Sequence, residues 1–238
     1  MTGVVKRGWE KIFVFSFIFK HELGLTMEAL FKAKRLLQGL YRKDGRDAFV
    51  HVYKVAQILI FFGILNDVVL AAGFLHDILE DISDATVDIL SKIFPEEVLS
   101  SEDIFEAILN ILSKIFPEEV LSLVIVLTKT DGMPLITYFA RISKKPLAVL
   151  IKLADRLHNL RNMIKNLGKY HWSRPEKLRE QVEETKLYVL RLANQAIAHE
   201  KKYPNGCPVE YFSVMLKMTD MLREEVRLAE AILGGMET

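Results

Sequence analysis

The chain has 238 residues, half of them hydrophobic, with 32 Lys and Arg against 31 Asp and Glu, for a net charge of +1. That supplies a substantial core for one large domain or two small ones, and near-neutrality without interleaved aromatics argues against a nucleic-acid partner. A single cysteine, Cys207, excludes an intramolecular disulfide and a thiolate metal cage, and it fits a reducing, cytoplasmic setting. Charge is locally segregated: Asp77, Glu80, Asp81, Asp84 and Asp88 crowd one stretch, while Lys144, Lys145, Lys152, Arg156, Arg161 and Lys165 crowd another.

In chain order, "IFVFSFIF" (Ile12 to Phe19) follows Lys6, Arg7 and Lys11 and has the look of a signal-peptide core. No small-residue cleavage pattern follows, and the run is well short of the roughly 20 residues that cross a bilayer as a helix. A buried structural segment is expected, with no membrane partner. Thr26 to Tyr41 reads as an amphipathic helix that stops at "RKDGRD". Asp47 can cap a helix running to Phe62 with Gly63 to end it, and Asn66 can cap the next, through "VVLAAGFLHDILED". Later helices are expected over Leu147 to Leu160, Pro175 to His199 and Val209 to Leu233, with "KKYPNGCP" as the clearest break. The fold class is therefore all-α.

"ILSKIFPEEVLS" occurs twice, from Ile89 and from Ile111, inside a duplicated unit of 22 residues (81–102 and 103–124). Solenoids generally need at least about three units, so this is a local tandem insertion into a bundle. Each unit reads as helix, Phe-Pro, then the first turn of another helix, because proline suits a helix start and breaks an interior. The unit is close to six helical turns, so an added copy can preserve much of the original facing. A 22-residue shift maps Glu102 and Asp103 onto Glu80 and Asp81 but Val98 and Leu99 onto His76 and Asp77. Only the first acidic pair is expected to do chemistry.

The densest group of ionisable residues is "HDILED", with His76 and Asp77 one helical turn before Glu80 and Asp81. Beneath a hydrophobic "VVLAAGFL", such a group calls for a partner, and imidazole with carboxylate suits manganese, iron or zinc. His51, and Asp155 with Asn159 four residues later, can complete a metal site. Taken singly, each has a plainer reading, His51 as an ordinary hydrogen-bonded histidine and Asp155 as the partner of Arg156 or Arg161. His21, His171 and His199 lack ligand-like neighbours, and His158 is not placed on the metal because it adjoins Asn159 on a helix.

The words "YRKDGRDAFVHVYKVAQIL", "AAGFLHDILEDI", "LTK", "IKLADRLHNLR" and "EETKLYVLRLA" occur in that order from about Leu25 to Ala193. With them the sequence resembles the HD-domain metal-dependent phosphohydrolases, and within these the hydrolase domain of the RelA/SpoT family, which degrades the alarmone (p)ppGpp. The resemblance implies an HD helical bundle over 25–193, after an N-terminal extension (1–24) and before a C-terminal helical extension (194–238) packed on the same domain. It implies His51, His76, Asp77 and Asp155 as metal ligands, for Mn2+ first of all, and Glu80 and Asp81 as the pair that positions and activates water. Arg42 and Lys43 fall where the family contacts the guanine end, Asn159 and Tyr188 where it contacts the ribose and neighbouring groups, and Lys129 near phosphate. The implied reaction converts ppGpp or pppGpp to GDP or GTP and pyrophosphate. With no room for a synthetase domain after Ala193, hydrolysis without synthesis is expected, and homo-oligomerisation stays open. Two departures from the family pattern keep alternatives in view. Val52 and Tyr53 follow His51 where the family has Pro-Leu, and the stretch from "LTK" to "LADR" is short. The alternatives are an HD phosphohydrolase for another nucleotide and a catalytically impaired nucleotide-binding protein.

Overall fold

Polar caps and prolines in the sequence fix most of the helix starts. The computed structural model describes residues 13–42, 45, 47–83, 104–198 and 207–236, and among them every regular element is helical, beside one isolated bridge between Tyr41 and Asp47. After a helical stretch at 13–20 comes α1 (Gly24–Leu36), whose first amides are capped from a distance. Leu25 N and Thr26 N donate to the Asp67 carboxylate at 3.0 and 2.7 Å. That remote cap starts α1 two residues before the expected Thr26. Its end comes at Leu36 instead of Tyr41, because Gly39 takes a φ of 78° and turns the chain into the bridge at Tyr41.

Helices α2 (Ala48–Phe61) and α3 (Asp67–Leu75) begin as expected, Asp47 accepting from Val50 N at 2.9 Å and Asn66 from Val69 N at 3.0 Å. Gly63 follows α2 with a φ of 81°, the left-handed conformation of a helix stop. A continuous helix through Asp81 is not what forms. His76 and Asp77 make a turn, and α4 (Ile78–Ser83) restarts after it. The Gly73 carbonyl in the last turn of α3 accepts from the His76 ring at 2.9 Å, so side chain and backbone compete there. The acidic turn survives the break, since Asp81 N donates to the Asp77 carbonyl at 2.8 Å.

The second duplicated copy forms α5 (Ile104–Ser113) and α6 (Glu118–Leu127), with Pro117 at the N-cap of α6. This is the helix, Phe-Pro, helix order read from the sequence. Glu102, Asp103 and the first copy beyond Ser83 lie outside the described residues. There follow α7 (Leu135–Ile142), α8 (Pro146–Lys165), α9 (Pro175–Glu184), a π-helical turn (Thr185–Val189), α10 (Leu190–Ala198) and α11 (Val209–Gly234). The helix expected from Pro175 thus carries one π turn, and His199 lies outside the described residues.

Central in the bundle is α8, which packs against α2, α3, α6, α7, α9, α10 and α11. Proline at its first position needs no N–H partner there. Helix α11 buries Tyr211, Met215, Leu222, Val226 and Leu233, and it is tied to the bundle by Arg161–Glu225 at 2.6 Å and Lys186–Glu230 at 2.9 Å. Stretch 13–20 is buried on one face only. Val14 and Ile18, four apart, are inside, while Phe13, Phe15 and Phe19 are exposed. Among the described residues no helix is long and apolar enough to cross a membrane.

Leu112 of the second copy is fully buried, whereas Leu216 of α11 is 47% exposed. Truncation of Leu112 to Ala is expected to lower the unfolding free energy by about 2–5 kcal/mol, and of Leu216 by under about 1 kcal/mol. Urea unfolding checks this, and equal losses would show that the second copy is not part of the core.

Candidate metal centre

Three parts of the bundle deliver ligand-type side chains to one point. His51 comes from α2, His76 and Asp77 from the turn after α3, and Asp155 from the middle of α8. All four are buried and present ligand atoms within 4.8 Å of one another. Nε2 of His51 stands 3.2 Å from Nε2 of His76, from Oδ2 of Asp77 and from Oδ1 of Asp155, and Nε2 of His76 stands 3.3 Å from Oδ1 of Asp77. Atoms bound to one cation at about 2.0–2.2 Å, in tetrahedral or right-angled directions, lie roughly 3.0–3.5 Å apart. The spacing therefore fits a divalent cation, and a mixed imidazole and carboxylate set suits manganese, iron or zinc without choosing among them. His76 Nδ1 faces the Gly73 carbonyl, which can only accept, so Nδ1 carries a hydrogen and Nε2 is the nitrogen turned to the cluster.

Opposite charges compensate the buried acids. Burial favours the neutral form of Asp77, but the Arg42 guanidinium and His76 outweigh it and hold the carboxyl well below its usual range. Arg42 Nη1 donates directly to Asp77 Oδ2. Asp155 is likewise held low against its burial by Lys152, which donates to Oδ2 at 2.8 Å, and by His51. Asn159 donates to its Oδ1 at 2.6 Å. Burial opposes protonation of both histidines: it lowers His51, while the Asp77 carboxylate prevails at His76 and raises it to about 8.

Asp77 and Asp155 open onto a cavity of about 170 Å³. Glu80 lines it, held by the Lys129 backbone amide, and burial together with the Asp77 charge raises its carboxyl to about 7. The same two causes raise Asp81 to about 7; this residue is buried outside the cavity lining, and its Oδ2 has no hydrogen-bond partner among the described residues. The Lys129 segment is fastened by α7, where Tyr138 donates to the Leu127 carbonyl at 2.7 Å and Arg141 to that of Thr128.

Of the residues expected to contact substrate, Arg42, Lys129 and Asn159 line the cavity. Lys43 lies outside the described residues. Tyr188 is not in the lining: it sits in the π turn and stacks on Phe139, with ring centroids 5.1 Å apart and planes at 12°. Sequence reasoning missed Tyr138, Lys152, Arg156, Gln181 and Glu184 in the lining, and His158 against His51 at 2.9 Å. The signal for three of them was available. Lys152, Asp155, Arg156 and Asn159 follow three- and four-residue steps on one helix, and His158 is three beyond Asp155. Asp155 pairs with Lys152 and not with Arg156, which is occupied by Gln181 and Glu184. Cys207 is buried and its thiol pushed up to about 11, in keeping with an incidental residue.

Because Glu80 is raised from an ordinary 4.5 to about 7, the folded chain binds this proton more tightly than the unfolded chain. Its stabilising contribution is complete below about pH 4.5 and is lost as pH rises through about 7. In EDTA-treated protein, Glu80→Gln is expected to flatten the fall in unfolding free energy across that window. An unchanged slope in denaturant titrations at several pH values would show that Glu80 titrates normally.

A family model described as "HD domain" matches residues 29–196. A probable GTP pyrophosphokinase of Mycobacterium leprae is 27% identical over 199 residues, covering 77% of this chain and 22% of the relative. A probable guanosine-3′,5′-bis(diphosphate) 3′-pyrophosphohydrolase of Synechocystis sp. is 30% identical over 154 residues, covering 65% of this chain and 18% of the relative. The chain thus spans about a fifth of the length of these curated relatives. A solved structure, described as a metazoan ortholog of SpoT that hydrolyses ppGpp, superposes with a TM-score of 0.53 at 22% identity, over 84% of this chain and 95% of the other, a likeness of fold. The matched span contains the whole histidine and aspartate cluster, and the chain belongs to the HD domain family.

Proposed function

We propose that this protein hydrolyses the 3′-diphosphate of ppGpp or pppGpp to pyrophosphate and GDP or GTP, in the cytoplasm, with manganese as its cation. The observation that carries the reading is the buried cluster of His51, His76, Asp77 and Asp155 opening onto a cavity lined by Glu80 and by the cations Arg42, Lys129 and Lys152. Support for the substrate comes from the relatives, one named for this 3′-pyrophosphohydrolase activity and one described as hydrolysing ppGpp.

His51, His76, Asp77 and Asp155 would hold the cation. When bound it supplies Lewis acidity toward a phosphoryl oxygen and makes water a stronger acid. The chain's own groups do the rest. Glu80, poised at about 7, takes a proton from the attacking water, and Asp81, next to it in the chain, completes the acidic pair that positions that water. The water oxygen bonds to the phosphorus attached to O3′, the P–O3′ bond breaks, and the proton held by Glu80 returns to the departing O3′. Lys129 and Lys152 offset the charge spread over the phosphoryl oxygens. Arg42 neutralises Asp77 in this structure; with the cation held by Asp77, the planar fork of Arg42 would be available to the nucleotide. Lys43 extends the positive charge of Arg42 along the chain. Asn159, already aligned on Asp155, faces the cavity for a ribose hydroxyl, and Tyr188 reaches the nucleotide only by leaving Phe139.

The test is incubation of purified protein with Mn2+ and ppGpp, followed by anion-exchange separation of products. Pyrophosphate and GDP are expected from the native chain. Glu80→Gln should lower kcat on the order of 10²- to 10⁴-fold, the usual worth of a proton-transfer group, and Asp77→Ala should abolish manganese binding. Release of phosphate from other nucleotides without ppGpp turnover would move the assignment to another HD phosphohydrolase. Binding of ppGpp with no turnover of any nucleotide would make the protein a catalytically impaired receptor.

A further inference from the structure

We infer that His158 is a positioning residue, whose bare Nδ1 accepts the Nδ1 hydrogen of His51 and so holds His51 in the tautomer that turns its Nε2 lone pair to the cation. The inference rests on the metal-dependent reading above. His51 is 1% exposed, and its Nδ1 lies 2.9 Å from Nδ1 of His158, with ring centroids 4.9 Å apart. A neutral imidazole carries one hydrogen, so an Nε2 that binds a cation leaves that hydrogen on Nδ1, where burial demands an acceptor. His158 Nδ1 is the polar atom that the described structure provides.

The two ligand histidines differ here. His76 Nδ1 faces the Gly73 carbonyl, an atom without a hydrogen, so the backbone dictates its tautomer. His51 faces an imidazole nitrogen that can accept or donate. Two arrangements follow. In one, His51 donates from Nδ1 and its Nε2 is bare. In the other, His158 donates and the Nε2 hydrogen of His51 points at Asp77 and Asp155, each 3.2 Å away, which closes the cluster to a cation. The hydrogen on His158 selects between them. Asp155 and His158 are three apart on α8, so one helix supplies both a ligand and the group that orients the ligand across from it.

The experiment measures manganese affinity calorimetrically for the native chain, His158→Leu and His158→Asn, alongside ¹⁵N spectra of histidine tautomers in native protein loaded with cadmium. His158→Leu is expected to weaken manganese binding by roughly 10- to 100-fold, as loss of such orienting groups does. His158→Asn, whose amide oxygen reaches the place of Nδ1, should restore most of the affinity. The spectra should show hydrogen on Nδ1 of His51 and on Nε2 of His158. Native affinity in a folded Leu variant, or hydrogen on Nδ1 of His158 in the loaded protein, overturns the inference and leaves the metal reading standing. A native chain that binds no manganese overturns both. If the Leu variant fails to fold, the native spectra decide.

Discussion

The carboxylates of Asp77 and Asp155 share one buried pocket with the Nε2 atoms of His51 and His76, and ionised acids out of water require positive charge close by. Arg42 supplies it to Asp77 and Lys152 to Asp155. Arg42 meets Asp77 across 35 residues, so the bundle has to close before that acid is balanced, whereas Lys152 meets Asp155 within one turn of α8. At Glu80 and Asp81 burial and the Asp77 charge outweigh those cations, and their carboxyls rise toward neutrality while Asp77 and Asp155 stay ionised. Acids of one kind are thereby sorted into two roles by the balance of burial and neighbouring charge.

Helix α8 makes this possible because it is central and runs unbroken from Pro146 to Lys165, while the segment that bears His76 and Asp77 is interrupted. Its face carrying Lys152, Asp155, Arg156 and Asn159 looks into the cavity, and its other faces pack against most of the bundle. The breaks are local solutions to the same problem. The turn at His76 and Asp77 lets two adjacent residues both reach the pocket, and the segment from Leu127 to Lys129, fastened by Tyr138 and Arg141, presents an amide to Glu80. The π turn at Thr185–Val189 sets Tyr188 against Phe139, away from the cavity lining.

The duplicated segment enters between Asp77 and Asp155, and the bundle accommodates its second copy by burying Ile108, Leu112, Phe116 and Val120. Proline at the start of α6 bends that copy into two helices, so the added length folds against the core instead of extending past it. Helix α6 then packs on α3, which leads into the turn of His76 and Asp77, and on α8, which carries Asp155.

Much of the molecule was legible in the sequence because the causes are local. Asp47 and Asn66 cap the helices that begin beside them, Gly63 stops one, prolines start α6 and α8, and apolar spacing marks the all-α fold. The ligand types were legible too, since His51, the His76 and Asp77 pair and Asp155 stand within recognisable words. Hydrogen bonds that join distant segments left no such trace. Asp67 caps α1 from 41 residues away, His158 meets His51 across 107 residues, and Arg156 turns from Asp155 to Gln181 and Glu184. By itself the sequence determined the helical class, the starts of the capped and proline-led helices and which residues can bind a cation, because backbone periodicity and capping act within a turn or two. Only the tertiary structure decided which cation neutralises which acid and which ring supports His51, because those choices depend on how helices cross, and crossing is settled by packing of the whole core.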